Sequence, residues 1–268
     1  MTSQPAVEVR GAGKVFNPGS NRQVDALVDI DLTVAQEEFV SLIGPSGCGK
    51  STLLRLIANL IEPTSGAITV AGKPSAQARR EQDYGMAFQQ AGLFDWRTVI
   101  RNVELPLELK GWDKSRRRER AREMLALVKL DEFADHRPWQ LSGGMQQRVA
   151  IARALASHPP LLLMDEPFGA LDEMTREHMQ AELLSICAGA GTSVVFVTHS
   201  IPEAVYLSDR VVVMSPRPGR ITGVVDAELR RDGSSTDTRE QPAFFECITA
   251  VREALRGHDD VAATRGVS

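Results

Sequence analysis

Along the first part of the chain apolar and polar positions alternate: Val28, Ile30, Leu32 and Val34 fall on one face, and Asp29, Asp31 and Thr33 on the other. A period of two predicts a half-buried strand. The unbroken run Phe39-Val40-Ser41-Leu42-Ile43 follows and ends in glycines, after which Leu53, Leu54, Ile57 and Leu60 recur at helical spacing. The order is strand, glycine loop, helix. Ile68 and Val70, bracketed by Gly66 and Gly72, predict another short strand in an antiparallel layer. From about 91 to 160 β-branched runs thin out and helical spacing such as Ala121, Leu125 and Val128 predicts a helical insert. Strand texture returns at Leu161–Met164, Val194–Val197 and Val211–Met214, apolar stretches that suit a parallel sheet covered on both faces. The expectation is an α/β fold with a parallel core, an antiparallel β subdomain and a helical subdomain.

Beyond Gly233 a polar linker, Ser234–Glu240, leads to an amphipathic helix with Phe244, Ile248, Val251 and Leu255 on one side, and the last dozen residues read as frayed. The expected division is therefore one domain over 1–232, with its insert at about 91–160, and an appendage over 233–268. A length of 268 residues accommodates this, at roughly 150 residues per domain. The charge-free window Leu183–Pro202 has the roughly 20 residues of a membrane span. Its interior reads otherwise: Cys187–Ser193 is a glycine-rich turn and Ser193–Thr198 a buried strand.

Composition changes the picture only by exclusion. Hydrophobic residues at 43% and charged residues at 25% are globular averages, and a net charge of -4 recruits neither nucleic acid nor an anionic bilayer. Any phosphate site must be local. The basic run Lys114–Arg120 is interrupted by Glu119 and flanked by Asp113 and Glu123, which reads as a solvated helix face. Three cysteines, Cys48, Cys187 and Cys247, are odd in number and lack metal-ligand spacing, which fits a reducing compartment. The first ten residues carry no secretory signal.

Chemistry enters at Gly44-Pro45-Ser46-Gly47-Cys48-Gly49-Lys50-Ser51-Thr52, a phosphate-binding loop G-x-x-x-x-G-K-[ST] between a predicted strand and a predicted helix. Glycines let backbone N–H groups wrap a phosphate at a helix N-terminus. Lys50 would reach the β- and γ-phosphates and the Ser51 hydroxyl would ligate Mg²⁺. Asp165-Glu166 closes the apolar run Leu161–Met164, at the strand end where open α/β sheets bind ligands. Asp165 is placed on the Mg²⁺ side, and Glu166 can deprotonate a water attacking the γ-phosphate. Leu141-Ser142-Gly143-Gly144-Met145-Gln146-Gln147 opens a helix with Ser142 as N-cap, a second anion site.

With these motifs in this order, the chain resembles the nucleotide-binding subunit of an ABC transporter, from Val7 to about Leu255, because Leu141–Gln147 matches that family's signature motif. The resemblance implies a P-loop fold with a RecA-like core, ATP and Mg²⁺ as ligands, and two copies paired head to tail so that Ser142, Gly143 and Gly144 of one close on ATP held by the other. It assigns Gln89 to the position that senses Mg²⁺ and water beside the transmembrane subunit, and Asp172 to the loop coupling the two sites. His199 becomes the switch histidine at the γ-phosphate, and Phe16 the aromatic against adenine. Without that context His199 fits a strand-end histidine, Gln89 a surface residue and Phe16 a core aromatic.

Ala91–Val99 and Ser208–Ile221 look like the nitrate, sulfonate and taurine importer branch, although Asp95 stands where a proline is frequent and Ser200 where an aspartate is. Trp96 fits either the coupling surface or a core anchor of the insert. The implied partners are two permease subunits and an extracytoplasmic binding protein, at the cytoplasmic face of the membrane, with no nucleic acid. The competing readings are a soluble ABC ATPase acting on nucleic acid or ribosomes, and a nucleotide sensor that does not hydrolyse. Long heptad insertions are missing against the first, and Glu166 with His199 speaks against the second.

Overall fold

A computed structural model describes residues 4–227, 229 and 238–256. Most of the expected linker and all of the expected frayed end, 257–268, lie outside the described residues. In chain order the elements are β1 (Val7–Phe16), β2 (Val24–Val34), β3 (Phe39–Ile43), α1 (Lys50–Ile57), β4 (Ser65–Val70), β5 (Lys73–Pro74), α2 (Ser75–Glu81) and β6 (Tyr84–Ala87). There follow α3 (Val99–Leu109), α4 (Lys114–Leu127), α5 (Gly143–Leu155), β7 (Leu161–Asp165), α6 (Glu173–Ala190), β8 (Ser193–Val197), α7 (Ile201–Leu207), β9 (Arg210–Met214), β10 (Ile221–Asp226) and α8 (Pro242–Arg256). They form two compact units, one of 1–81 with 193–268 and one of 82–192.

The first unit has two layers of strands. β2, β1, β4 and β5 form an antiparallel sheet in that order. The alternation on β2 is the expected one: Ile30, Leu32 and Val34 are buried, while Asp29, Asp31 and Thr33 face solvent. β3 runs parallel to β8 on one side and to β9 on the other, and β10 pairs antiparallel with β9. Every residue of β3 and β8 is buried, which explains why these runs carry no polar alternation. The one polar residue inside β3, Ser41, is satisfied by the buried Ser208 hydroxyl. Helix α8 closes this unit by setting Phe244 and Val251 against Ala204, Val205, Val211 and Val213, with Ile248 and Leu255 at the margin. Each such side chain taken out of water contributes about 1.5–3 kcal/mol. α1 stops at Ile57, so Leu60, expected on its apolar face, is 39% exposed in the following turn.

The second unit holds the parallel pair β6 and β7 with helices α3 to α6. Val99, Ile100, Val103 and Leu107 of α3 are buried, as are Ala121 and Leu125 of α4 and Val149 and Ile151 of α5. Gly85 lets α5 close on β6, since a Cβ there would lie 2.3 Å from the Ala154 carbonyl oxygen. Two expectations change. The basic run on α4 is only partly solvated: Arg118 turns to Glu104 and Asp135, and Arg120 to Glu123 and the Ala156 carbonyl. And Cys187–Ala190 is not a turn. α6 continues through it and ends at Gly191, which takes the left-handed conformation (φ 60°) that a β-carbon disfavours. Among the described residues no helix is long and apolar enough to cross a membrane.

Candidate functional site

In the first unit the phosphate loop joins β3 to α1, and its shape is set by three glycines. Gly47 (φ 75°) and Gly49 (φ 107°) occupy conformations that side chains rarely adopt. At Gly44 space is the constraint, because a Cβ would stand 2.7 Å from the Met214 carbonyl oxygen. No side chain caps the N-terminus of α1, so that end is available to an anion. Lys50, 7% exposed, folds back along the loop and its Nζ donates to the carbonyls of Gly44 (2.7 Å) and Pro45 (3.1 Å). Cys48 is buried, with its Sγ 3.8 Å from that Nζ. Pro45, Ser46 and Gly47 are exposed, and Ser51 and Thr52 are half-buried.

Gly219 supports this loop from behind. Its N–H donates to Ala26 O (2.9 Å), its carbonyl accepts from Val28 N (3.0 Å), and a Cβ on it would lie 2.0 Å from the Cys48 carbonyl oxygen. His199 follows β8 and is exposed, while its neighbour Thr198 is buried. The turn that carries it is tied: Thr198 Oγ1 donates to the buried Glu203 carboxylate and accepts from Ser200 N (3.0 Å), and Ser200 Oγ accepts from Glu203 N (3.4 Å). Phe16 ends β1 with 37% exposure, and the Lys14 ammonium lies 5.3 Å from its ring centroid. It is available to stack on a planar ring.

In the second unit β7 delivers Asp165, 4% exposed, and Glu166 to its C-terminal end. Glu166 has φ 47°, an uncommon conformation for a residue with a side chain and one found disproportionately at functional sites. The exposed Gln89, beyond the end of β6, donates from Nε2 to Glu166 Oε2 at 3.3 Å. The structure thus brings together two residues that the sequence holds far apart.

The signature also lies in this unit. Ser142 caps α5 by accepting from Met145 N (3.3 Å), and Ser142 and Gly143 are exposed. A Cβ on Gly143 would meet nothing within 4 Å, whereas one on Gly144 would stand 3.2 Å from the Ala170 carbonyl oxygen, so the second glycine packs on the segment leading to Asp172. Asp172 is the N-cap of α6, accepting from Thr175 N at 2.9 Å. Hydrogen bonds from the Thr175 backbone and hydroxyl hold its carboxyl below the usual carboxylate range. Trp96 is 72% exposed, which removes the core-anchor reading.

Sequence reasoning did not single out Gly219, Glu203, Asn102 or Arg153. Gly219 and Arg153 act through partners remote in sequence, Cys48 for the first and Ala91 with Gly92 for the second, whereas Glu203 and Asn102 bond to near neighbours, Thr198 for the first and Phe94 with Thr98 for the second.

A family profile described as ABC transporter matches residues 27–169. An uncharacterized ABC transporter ATP-binding protein of Methanocaldococcus jannaschii is 51% identical, covering 86% of this chain and 85% of its own. The taurine import ATP-binding protein of Rhizobium johnstonii is 44% identical over 95% of this chain and 98% of its own, and that of Pelagibacter ubique 43% identical over 91% and 96%. Among solved structures, a dimeric post-hydrolysis state of the ATP-binding cassette MJ0796 bound to ADP and Pi superposes with a TM-score of 0.76. Its identity is 37%, over 82% of this chain and 98% of that one. The fold is that of a P-loop ATPase cassette, and the chain belongs to the ABC transporter family as an ATP-binding subunit that hydrolyses ATP.

Proposed function

We propose that this chain powers the uptake of a small anion of the taurine or sulfonate type, as one of two copies attached to two permease subunits at the cytoplasmic face of the membrane. An extracytoplasmic binding protein would deliver the solute. The likeness to taurine import ATP-binding proteins over nearly their full length supports the solute class. The bond from Gln89 to Glu166, with Glu166 in a left-handed backbone conformation at a strand end, supports the hydrolytic chemistry.

In this reading the loop Gly44–Thr52 wraps the phosphates with backbone N–H groups, Lys50 exchanges its loop carbonyls for the β- and γ-phosphate oxygens, and Phe16 stacks on adenine. The Ser51 hydroxyl and the Asp165 carboxylate are oxygen donors of the kind that fit Mg²⁺, an ion that takes its remaining ligands from phosphate and water. When bound, that ion neutralises charge on the transferring phosphoryl group. Glu166 accepts the proton of a water that Gln89 orients, the water oxygen bonds to the γ-phosphorus, and ADP departs. His199 donates to the γ-phosphate. Ser142, Gly143 and Gly144 complete the site of the partner copy, so the γ-phosphate is contacted from both sides only when the pair closes, and that differential affinity drives closure. Asp172 links the two sites. Exposed Trp96 rims an open groove of about 1530 Å³ between α3 and α4, where seven cationic and four acidic side chains line the wall. We assign that face to the permease.

The test is reconstitution with the permease in liposomes. ATP turnover stimulated by binding protein loaded with taurine or another sulfonate, and not by unloaded protein, is the expected result. Stimulation by nitrate alone would overturn the solute class, and recovery of the chain from cells on nucleic acid without a membrane partner would overturn the importer role.

A further inference from the structure

Helix α5 begins at the signature, yet two side chains further along it bond to a different part of the unit. Gln147 is 2% exposed, and its Nε2 donates to the Phe88 carbonyl at 2.8 Å. Arg153 spans two carbonyls, Nη2 to Ala91 O at 2.8 Å and Nη1 to Gly92 O at 2.9 Å. Those carbonyls bracket Gln89, which is exposed and lies past the end of β6, where no strand ladder fixes the backbone. The rest of the segment is held by Asn102 of α3, fully buried, which accepts from Phe94 N (2.8 Å) and donates to the carbonyls of Phe94 (3.2 Å) and Thr98 (3.0 Å).

From this geometry we infer that Gln147 and Arg153 are positioning residues for ATP hydrolysis: they hold the backbone around Gln89 so that its amide stays on Glu166, and they tie that amide to the helix that carries the signature. The inference rests on the reading of Gln89 as the group that orients the attacking water. The physical demand is specific. Phe88 O, Ala91 O and Gly92 O are acceptors that receive donors from one helix, and a planar guanidinium can span two carbonyls where an ammonium, a point charge, meets only one well. Burial lowers the Arg153 guanidinium pKa from its ordinary value, because the side chain has given up water to reach these carbonyls. A movement of Ser142–Gly144 toward a partner copy is then transmitted to Gln89 through a rigid helix.

The experiment is a double-variant cycle on the full chain, with kcat and KM for ATP measured beside thermal melting. Gln147→Leu preserves volume and removes the donor; Arg153→Lys preserves the charge and loses the fork, and stands in should Gln147→Leu fold poorly. Either variant should lower kcat about tenfold, the equivalent of one lost hydrogen bond, while KM stays within about twofold because the phosphate loop is untouched. In a Gln89→Ala background the same substitution should change kcat less than about twofold, because its route is already cut. An equal fall in both backgrounds, or no fall in the parent, overturns the inference. Parent-like turnover of Gln89→Ala alone overturns the Gln89 reading instead.

Discussion

Replacing Gly219 by alanine should cripple nucleotide handling through the backbone of the phosphate loop, although Gly219 lies outside that loop. The added Cβ would stand 2.0 Å from the Cys48 carbonyl oxygen, a separation that real β-carbons essentially never show below 3.0 Å, so something must give by about 1 Å. Gly219 cannot easily retreat. Its N–H and carbonyl are both bonded to β2, at Ala26 O and Val28 N, and Leu27 Cδ2 would sit 3.1 Å from the new carbon on another side. The part expected to yield is the phosphate loop, where Gly47 and Gly49 flank Cys48 with the backbone freedom that glycine allows. A displacement of about 1 Å at a reacting centre costs on the order of a hundredfold in kcat/KM, about 2.7 kcal/mol, and the overpacking itself costs about 1–3 kcal/mol of stability. Fluorescent-nucleotide binding and steady-state turnover read the first effect, thermal melting the second. Gly189→Ala is the control, since a Cβ there meets nothing within 4 Å inside α6; it should gain up to about 1 kcal/mol of stability with nucleotide affinity unchanged. Gly219→Ala with kcat/KM within about threefold of the parent would refute the reasoning.

Two other outcomes follow from local environments. Burial pushes the Cys187 thiol up to about 12 and Cys48 is 1% exposed, whereas Cys247 is half-buried, so maleimide at pH 8 should label native protein first at Cys247 and reach all three only after denaturation, as mass spectrometry would read. The Asp172 carboxyl is depressed in the folded chain, so its contribution is present above the unfolded carboxylate range and is lost as pH falls through the lower folded value. Asp172→Asn keeps a capping side chain without a titrating group, and its melting temperature should fall less steeply than the parent's on acidification.

Local signals carried much of this architecture. The phosphate loop, the acidic pair after β7 and the cap at Ser142 are readable because each needs particular residues within a few positions, glycines for left-handed backbone and a hydroxyl for a helix start. What escaped are the pairings across long sequence separations. Nothing in the run Lys114–Arg120 says that Arg118 will meet Glu104 and Asp135, and its charge pattern alone reads as solvated. Gln147 stands inside the signature motif, but its bond to Phe88 depends on how α5 docks beside β6. The helical path of Cys187–Ala190 was masked by Gly189, because a helix tolerates one glycine near its end and the true stop, two residues later, is the one with positive φ. Trp96 shows the reverse case. A large aromatic invites a core reading, and here it is on the surface.

Hydrolysis in this mechanism depends on Glu166 as the base. Glu166→Gln keeps the size of the side chain and an amide able to bond Gln89, but cannot take a proton from water. With Mg²⁺ and ATP the variant should bind nucleotide with parent-like affinity and accumulate as a dimer in size-exclusion chromatography, while turnover falls by about a hundredfold or more, the scale of general-base catalysis. Turnover near that of the parent would contradict the assignment of the base and the mechanism built on it.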